Sequence, residues 1–170
     1  MIVRTLLRDG AIDFEGRFFS ARECELRPRG PTPGGPRLLL GSNGPRMLRI
    51  AAPHVDAWNS WYADIGNSPP GVAALRDRVD EACRDTGTDP GAIERTVAVF
   101  VGLTGGTGRI MGDTDRRQLV KPLSGAPDEI ADELRRYAAE GIAEVQLVVD
   151  PITRAAIDEL APVLERLDRS

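Results

Sequence analysis

Apolar and polar residues alternate along the chain in two different rhythms, one typical of strands and one typical of helices. Short apolar segments predict buried strands, and they span residues 38–40, 55–59, 96–103 and 145–149. A helical spacing of apolar residues follows each of them, over residues 45–52, 68–86, 128–139 and 154–167. Alternating strands and helices predict an α/β fold with a parallel sheet and right-handed crossovers.

The first 37 residues follow a different pattern. Residues 3–8 resemble the end of a helix that stops at Asp9-Gly10, and residues 11–26 contain two strand-like runs around the turn Glu15-Gly16, which predicts a β-hairpin. Residues 27–37, RPRGPTPGGPR, are dense in proline and glycine and predict a surface loop. No domain boundary is visible, so we expect one domain over residues 1–170, with four β/α units in residues 38–170.

Composition narrows the classes of function. The 170 residues are 41% hydrophobic and 28% charged, which is typical of a globular chain with a sizeable core. The formal net charge of -4 argues against a protein that binds nucleic acid through electrostatics. The longest apolar run is too short for a membrane span, no secretory signal is visible, and the two cysteines predict reduced thiols in the cytoplasm. A single histidine and no clustered thiols make a metal site improbable.

The turn Gly41-Ser42-Asn43-Gly44 is the first candidate site. It follows the apolar strand 38–40 and precedes a helix that begins at Pro45. Glycines without Cβ let a ligand approach the backbone, and Ser42 and Asn43 add side-chain donors, so the turn could hold a phosphate. Alternatively, the turn only needs a permissive backbone, with Asn43 capping the helix. The motif is neither a Walker loop nor a GxGxxG dinucleotide loop.

The segment DAWNSWY, residues 56–62, is the second candidate. Asn59 and Ser60 could bond a phosphate or a ring edge, and an indole could form one wall of an apolar pocket. The alternative is that Trp58 belongs to the core and that Trp61 anchors a loop.

Three further features favour ordinary structural roles. The glycine-rich stretch 104–109 predicts a loop, to which basic residues could give positive charge: Arg109, Arg116, Arg117 and Lys121. His54 lies beside a predicted helix end and is unlike a general base, since no nucleophile–histidine–acid set is recognisable. Asp150 ends a strand and could contact a ligand, although Asp-Pro is also a common entry into a helix.

Several stretches taken together resemble the C-terminal half of the bacterial luciferase-like monooxygenase family. They are DFEGRFF at 13–19, ELRPRG at 25–30, LLLGSNGPRMLRIAAPHVDAWN at 38–59 and LSGAPDEIADELRRYAAEGIAEVQLVV at 123–149. This resemblance implies a (β/α)8 barrel that binds FMN or the deazaflavin coenzyme F420 at the carboxyl ends of its strands. It implies hydride transfer, or oxygen activation, on a small organic substrate.

The resemblance also implies a coenzyme site on residues of both candidate segments. Gly41, Ser42, Asn43 and Gly44 would line the phosphate end of the coenzyme, with Asn59 and Ser60 as neighbours. No catalytic residue can be assigned. Arginine-rich, GC-biased composition is associated with genomes in which F420 is common.

The chain is short for this family, because a complete barrel takes roughly 250 residues. We therefore expect four of the eight β/α units, with two open sheet edges. A fragment, a truncated product, or a half that pairs with another copy or with a separate amino-terminal half would all fit. The alternatives to an oxidoreductase are an inactive half-barrel that serves binding or assembly, and another kind of α/β domain that binds a phosphate ligand.

Overall fold

The computed structural model describes residues 2–107 and 120–169. The strands are β1 Ala11–Glu15, β2 Ser20–Glu25, β3 Leu39–Leu40, β4 Ala57–Ser60, β5 Glu94–Gly102 and β6 Glu144–Asp150. The α-helices are α1 Ile2–Asp9, α2 Pro45–Ala51, α3 Ala73–Thr86, α4 Pro127–Ala139, α5 Arg154–Glu159 and α6 Ala161–Leu167. Short 3-10 helices cover Ala52–His54, Tyr62–Ile65, Pro69–Val72 and Pro90–Ala92.

Four strands form a parallel sheet in the order β3-β4-β5-β6. Sequential strands are neighbours, as expected of repeated β/α units in part of a barrel. Within residues 2–107 and 120–169, β3 and β6 are the edge strands of this sheet. β1 and β2 pair separately as an antiparallel hairpin. The α/β fold, its parallel sheet and its hairpin are therefore confirmed.

The sheet has one face covered by helices and packed into the core. In parallel strands, paired residues point to the same face, and side chains alternate along each strand. Val97, Val99 and Val101 of β5 are fully buried in the main core, and partly buried Val145, Leu147 and Val149 beside them on β6 pack against it. Residues of α3 that share one face complete this layer: Leu75, Val79, Ala82 and Cys83.

Local sequence signals explain where the helices end. Gly87 and Gly141 follow α3 and α4 with φ of +69° and +81°, in the left-handed region that glycine adopts without strain. Thr153 caps α5, because its Oγ1 accepts a hydrogen bond from the Ala156 amide at 3.2 Å. These three boundaries agree with the sequence pattern.

Some boundaries differ from those expected. The second strand of the sheet begins at Ala57 rather than Val55, because 3-10 helix Ala52–His54 extends the connection from α2. The last predicted helix is two helices, α5 and α6, which meet at Leu160 just before Pro162. Proline at that point cannot donate the backbone bond that a continuous helix needs.

Candidate functional site

The carboxyl ends of the four parallel strands meet at one edge of the sheet, here called the carboxyl edge. It consists of the ends of β3 at Leu40, β4 at Ser60, β5 at Gly102 and β6 at Asp150, with the segments that follow them. In barrels and open α/β sheets, ligands bind at this edge. Residues 41–44 and 61–62 follow two adjacent strands, so the sheet brings the two predicted segments side by side.

The glycines of the turn do not have the backbone conformation that would require glycine. Neither Gly41 nor Gly44 has a positive φ. Gly44 has φ of -76° and ψ of 128°, a conformation that any residue can adopt. A Cβ added at Gly41 would meet no described atom within 4 Å, and one at Gly44 only Ser42 Oγ at 4.0 Å. These glycines therefore leave open space beside the backbone.

Two hydrogen bonds hold the turn, one to β4 and one to the segment that follows β4. The indole Nε1 of Trp58 donates to the Ser42 carbonyl at 3.0 Å, and the Asn43 amide Nδ2 donates to Asp64 Oδ2 at 2.8 Å. Trp58 is only 1% exposed, so it is both a core residue and a fixed support for the turn. The Asn43 cap considered above is wrong: Gly44 is the N-cap of α2, and within the described chain no side chain caps it.

Two polar atoms at this edge are buried without a partner. They are Asn43 Oδ1 and Ser60 Oγ, neither of which has a hydrogen-bond partner among the described residues. Unpaired buried polar atoms are uncommon in native proteins, because each loses its hydration without compensation. A ligand or a water molecule that bonds to them would remove this penalty.

Asn59 and Ser60 point to opposite faces of the sheet. Ser60 pairs with Val97, which lies in the core beneath the helices, whereas Asn59 pairs with Thr96 on the other face. Asn59 Oδ1 accepts a hydrogen bond from the Thr96 hydroxyl at 2.9 Å. The structure thus brings Asn59 and Ser60 to the same strand end but not to the same face.

Aromatic side chains extend the carboxyl edge beyond β4. Tyr62 is buried, and its ring stacks on that of Phe100 with centroids 5.2 Å apart and planes at 29°. Trp61, which is 37% exposed, lies 4.7 Å from the Tyr62 ring. The pocket-wall role of an indole in DAWNSWY stays a prediction, and the contact of Tyr62 with Phe100 could not be read from the sequence.

Asn67 is a polar residue of this region that sequence analysis missed. It has φ of +50°, and its side chain bonds both backbone groups of Phe100: Nδ2 donates to the carbonyl at 2.8 Å, and Oδ1 accepts from the amide at 2.8 Å. Nδ2 also donates to the Lys121 carbonyl at 3.0 Å. The side chain therefore continues the sheet beside β5 beyond the end of β4. The Gly66-Asn67 doublet, a common turn pair, was the available signal.

The segments after β5 and β6 also contact each other. The amide and hydroxyl of Thr104 donate to the Glu159 carboxylate at 3.2–3.4 Å. A Cβ on Gly106 would lie 2.6 Å from the Asp150 carbonyl oxygen, so glycine is needed for this close approach. Residues 104–107 form a turn and loop, as predicted; Arg109, Arg116 and Arg117 lie outside the described residues, and Lys121 is exposed.

The remaining features lie away from the carboxyl edge. His54 is exposed and precedes β4. A cavity of ≈ 610 Å³ is lined by residues before β3, namely Leu7, Arg8, Leu26 and residues 28–36, and by none of the candidate site residues. In the part of the chain that the structure describes, no cluster of His, Cys, Asp and Glu could hold a metal ion. The described helices also include none with the length and apolar character needed to cross a bilayer.

Comparison with known families identifies the family of the chain. The model of the family described as luciferase-like monooxygenase matches residues 1–106, which include the hairpin, the glycine turn, β4 and β5. The chain belongs to this family. The matched stretch contains both candidate segments.

Three similar proteins illustrate how far the likeness extends. A phthiodiolone/phenolphthiodiolone dimycocerosates ketoreductase of Mycobacterium sp. (strain JLS) is 39% identical over 72 residues, 42% of this chain and 18% of its own. The structure of a coenzyme F420 dependent tetrahydromethanopterin reductase from Methanopyrus kandleri has a TM-score of 0.72 at 14% identity. That of a riboflavin lyase with modified FMN has a TM-score of 0.69 at 16% identity. At these identities the structures show a shared fold.

The chain spans only part of these proteins. The structural likeness covers 99% of this chain and 60% of the reductase, and 94% of this chain and 48% of the lyase. The four β/α units and the hairpin thus correspond to about half of each larger enzyme.

Proposed function

We propose that this chain forms the coenzyme-holding half of a luciferase-like oxidoreductase and binds FMN or coenzyme F420 at the carboxyl edge. The reaction is hydride transfer between the coenzyme and a small organic substrate, in the cytoplasm, where both thiols stay reduced. Family membership supports an enzyme of this kind. The two structural relatives described above are named for F420 and for FMN, which supports these coenzymes.

The observation that carries the proposal is the open space beside Gly41 and Gly44. Neither glycine is required by the backbone conformation of the turn. We infer that glycine is used at both positions because the absence of a side chain leaves space for a ligand beside the backbone. A phosphate or a polyol chain can approach such a backbone closely. The buried, unpaired Asn43 Oδ1 and Ser60 Oγ offer additional bonds at the same strand ends.

The chain's residues bind and orient the coenzyme, and the bound coenzyme supplies the hydride chemistry. Gly41, Ser42 and Gly44 hold its phosphate end, and Ser60 contributes a hydroxyl from the neighbouring strand. Asn59 lies on the face of the sheet opposite the helices, where its Oδ1 accepts a hydrogen bond from the Thr96 hydroxyl. Trp61 provides an apolar surface at the rim. We assign no catalytic residue.

A fluorescence titration with FMN and with F420 tests the proposal. The variant Gly41→Asp adds a carboxylate to the open space, where it meets no described atom and should repel a phosphate. Gly30→Asp is the matched control, because Gly30 also lies in open space with unexceptional φ, but in the proline-rich loop. Gly41→Asp should weaken binding at least about tenfold, which corresponds to about 1.4 kcal/mol, and Gly30→Asp should leave it unchanged.

The outcomes separate the possible functions. Equal effects of both substitutions would contradict a site at the turn. A folded protein that binds neither coenzyme would contradict the coenzyme proposal for this chain and would favour an assembly module. Binding of inorganic phosphate or sugar phosphates as tightly as of FMN would favour a general phosphate-binding domain.

The open edges of the sheet support a second, compatible proposal, that the half-barrel pairs with further barrel strands. Leu39 on edge strand β3 is 50% exposed. Beside edge strand β6 lies a mainly apolar groove of ≈ 310 Å³, whose lining includes Val145, Leu147 and Leu164. Unprotected strand edges attract other strands. The partner is a second copy or an amino-terminal half of a barrel, and the mass measured by light scattering, alone and with such a half, distinguishes them. A monomer under both conditions would contradict pairing.

A further inference from the structure

Asn43 is held in one amide orientation by Asp64. The Asp64 carboxylate oxygen lies 2.8 Å from the Asn43 side-chain nitrogen. An ionised carboxylate can only accept hydrogen bonds, so the group that faces it must be the NH2 of the amide. The other end of the amide, Oδ1, is consequently directed away from Asp64. It is buried and unpaired within the described part of the chain.

This orientation determines which ligand groups Asn43 can bind. Oδ1 is an acceptor and needs a donor, such as a hydroxyl group or an N–H. A phosphate oxygen is itself an acceptor at neutral pH and cannot satisfy it. The negative charge of Asp64, on the other side of the same amide, also opposes a dianion at this position. Asn43 is therefore unsuited to the phosphate, unlike the open backbone of Gly41 and Gly44.

We propose that Asn43 Oδ1 accepts a hydrogen bond from a hydroxyl group on the polyol chain of the coenzyme, and that Asp64 is the positioning residue that makes this possible. FMN and F420 both contain such a chain between the ring system and the phosphate. This inference rests on the proposed coenzyme site and assigns two parts of the coenzyme to different residues of it. The phosphate contacts the glycine backbone, and the hydroxylated chain contacts Asn43.

Binding of three flavins tests whether the phosphate and the polyol chain contact different residues. FMN has both groups, riboflavin lacks the phosphate, and lumiflavin lacks the phosphate and the polyol chain. For a protein that prefers F420, the matching pair is F420 and its deazaflavin core, which keeps the polyol chain but lacks the phosphate and the tail attached to it. Asn43→Ala should weaken the binding of FMN and of riboflavin by the same factor, about tenfold for one lost hydrogen bond. The binding of lumiflavin should be unchanged.

Variants of Asp64 test its positioning role separately. Asp64→Ala removes the acceptor, so the Asn43 amide can rotate by about 180° and exchange its oxygen and nitrogen. Riboflavin binding should be weakened by about three- to tenfold. Asp64→Asn can present either an oxygen or an NH2 group to Asn43, so it no longer fixes the orientation of the Asn43 amide and should restore the affinity only in part. Asp77→Ala on α3 is the control for loss of an exposed carboxylate, and it should have no effect.

Each result decides between the inference and its alternatives. A loss in Asn43→Ala that is confined to FMN would assign Asn43 to the phosphate and overturn the inference, while the coenzyme proposal would stand. Equal losses for all three flavins would mean that Asn43 acts through the fold, which also overturns it. Absence of binding of every flavin and deazaflavin to folded, unmodified protein would instead overturn the proposed function, and this inference with it.

Discussion

Two asparagines near the carboxyl edge differ in how completely the protein uses them. Asn67 bonds with both ends of its amide, to Phe100 N, Phe100 O and Lys121 O. Asn43 bonds only through Nδ2, to Asp64, and its Oδ1 is buried without a partner in the described chain. The first side chain completes a sheet, and the second leaves a bonding position open. A buried side chain whose hydrogen bonds are all made within the protein has a structural role. One that keeps an unpaired donor or acceptor is a candidate for binding a ligand.

The largest expected effect comes from removing the fully used amide. Asn67→Ala leaves the Phe100 amide and the Lys121 carbonyl without this partner, whereas the Phe100 carbonyl still accepts from the Leu123 amide at 2.8 Å. We expect a loss of about 2 kcal/mol in the free energy of unfolding. Asn43→Ala should cost less than about 1 kcal/mol, because it removes only one exposed bond. Urea denaturation of both variants measures the difference. Similar losses would remove the distinction between the two residues.

The support beneath the turn gives the next effect. Trp58→Phe keeps most of the buried apolar surface but removes the Nε1 bond to the Ser42 carbonyl. We expect a loss of about 1.5 kcal/mol in stability, and weaker coenzyme binding by the full chain, since the turn is less firmly held. Denaturation and the FMN titration report these separately. Unchanged binding would show that the turn keeps its position without this bond.

Glycines provide a parallel comparison. Gly87 has φ of +69°, so Gly87→Ala should destabilise the protein by about 1 kcal/mol. Gly44 has φ of -76°, so Gly44→Ala adds no backbone strain; it should cost only about 0.5 kcal/mol through the less favourable N-cap, while it narrows the space for the ligand. Thermal unfolding checks the first statement, and coenzyme titration the second. An equal loss of stability at both positions would give Gly44 a structural role.

The smallest effect concerns an unpaired group far from the site. Tyr137 on α4 is fully buried, its hydroxyl has no partner among the described residues, and burial, with a smaller contribution from Glu133, raises its pKa from 10.0 to about 12. Since the unfolded chain releases this proton first, folded stability decreases as pH rises from about 10 to about 12.

Tyr137→Phe removes this dependence. The variant should be as stable as the parent at neutral pH and more stable by at most about 1 kcal/mol near pH 10.5. Urea denaturation across the alkaline range measures it. A parallel decline in both proteins would show that other groups govern alkaline unfolding.

Much of the fold followed from sequence pattern because the signals are local. Apolar runs such as 96–103 and glycine stops such as Gly87 act within a few residues, and they predicted the order of strands and helices. The turn at 41–44 was also visible as a candidate site. Local pattern could not give the start of β4 at Ala57 or the division of the last helix into α5 and α6, since both depend on how connections pack.

The sequence by itself determined the alternation of elements, the family resemblance and the position of the glycine turn at the end of a strand. Only the tertiary structure decided that Asn59 and Ser60 point to opposite faces, that Asn67 extends the sheet, and that Asp64 orients Asn43. These relations join residues far apart along the chain. Hydrogen-bond satisfaction and available space depend on which groups meet after folding, and the order of residues alone does not specify that.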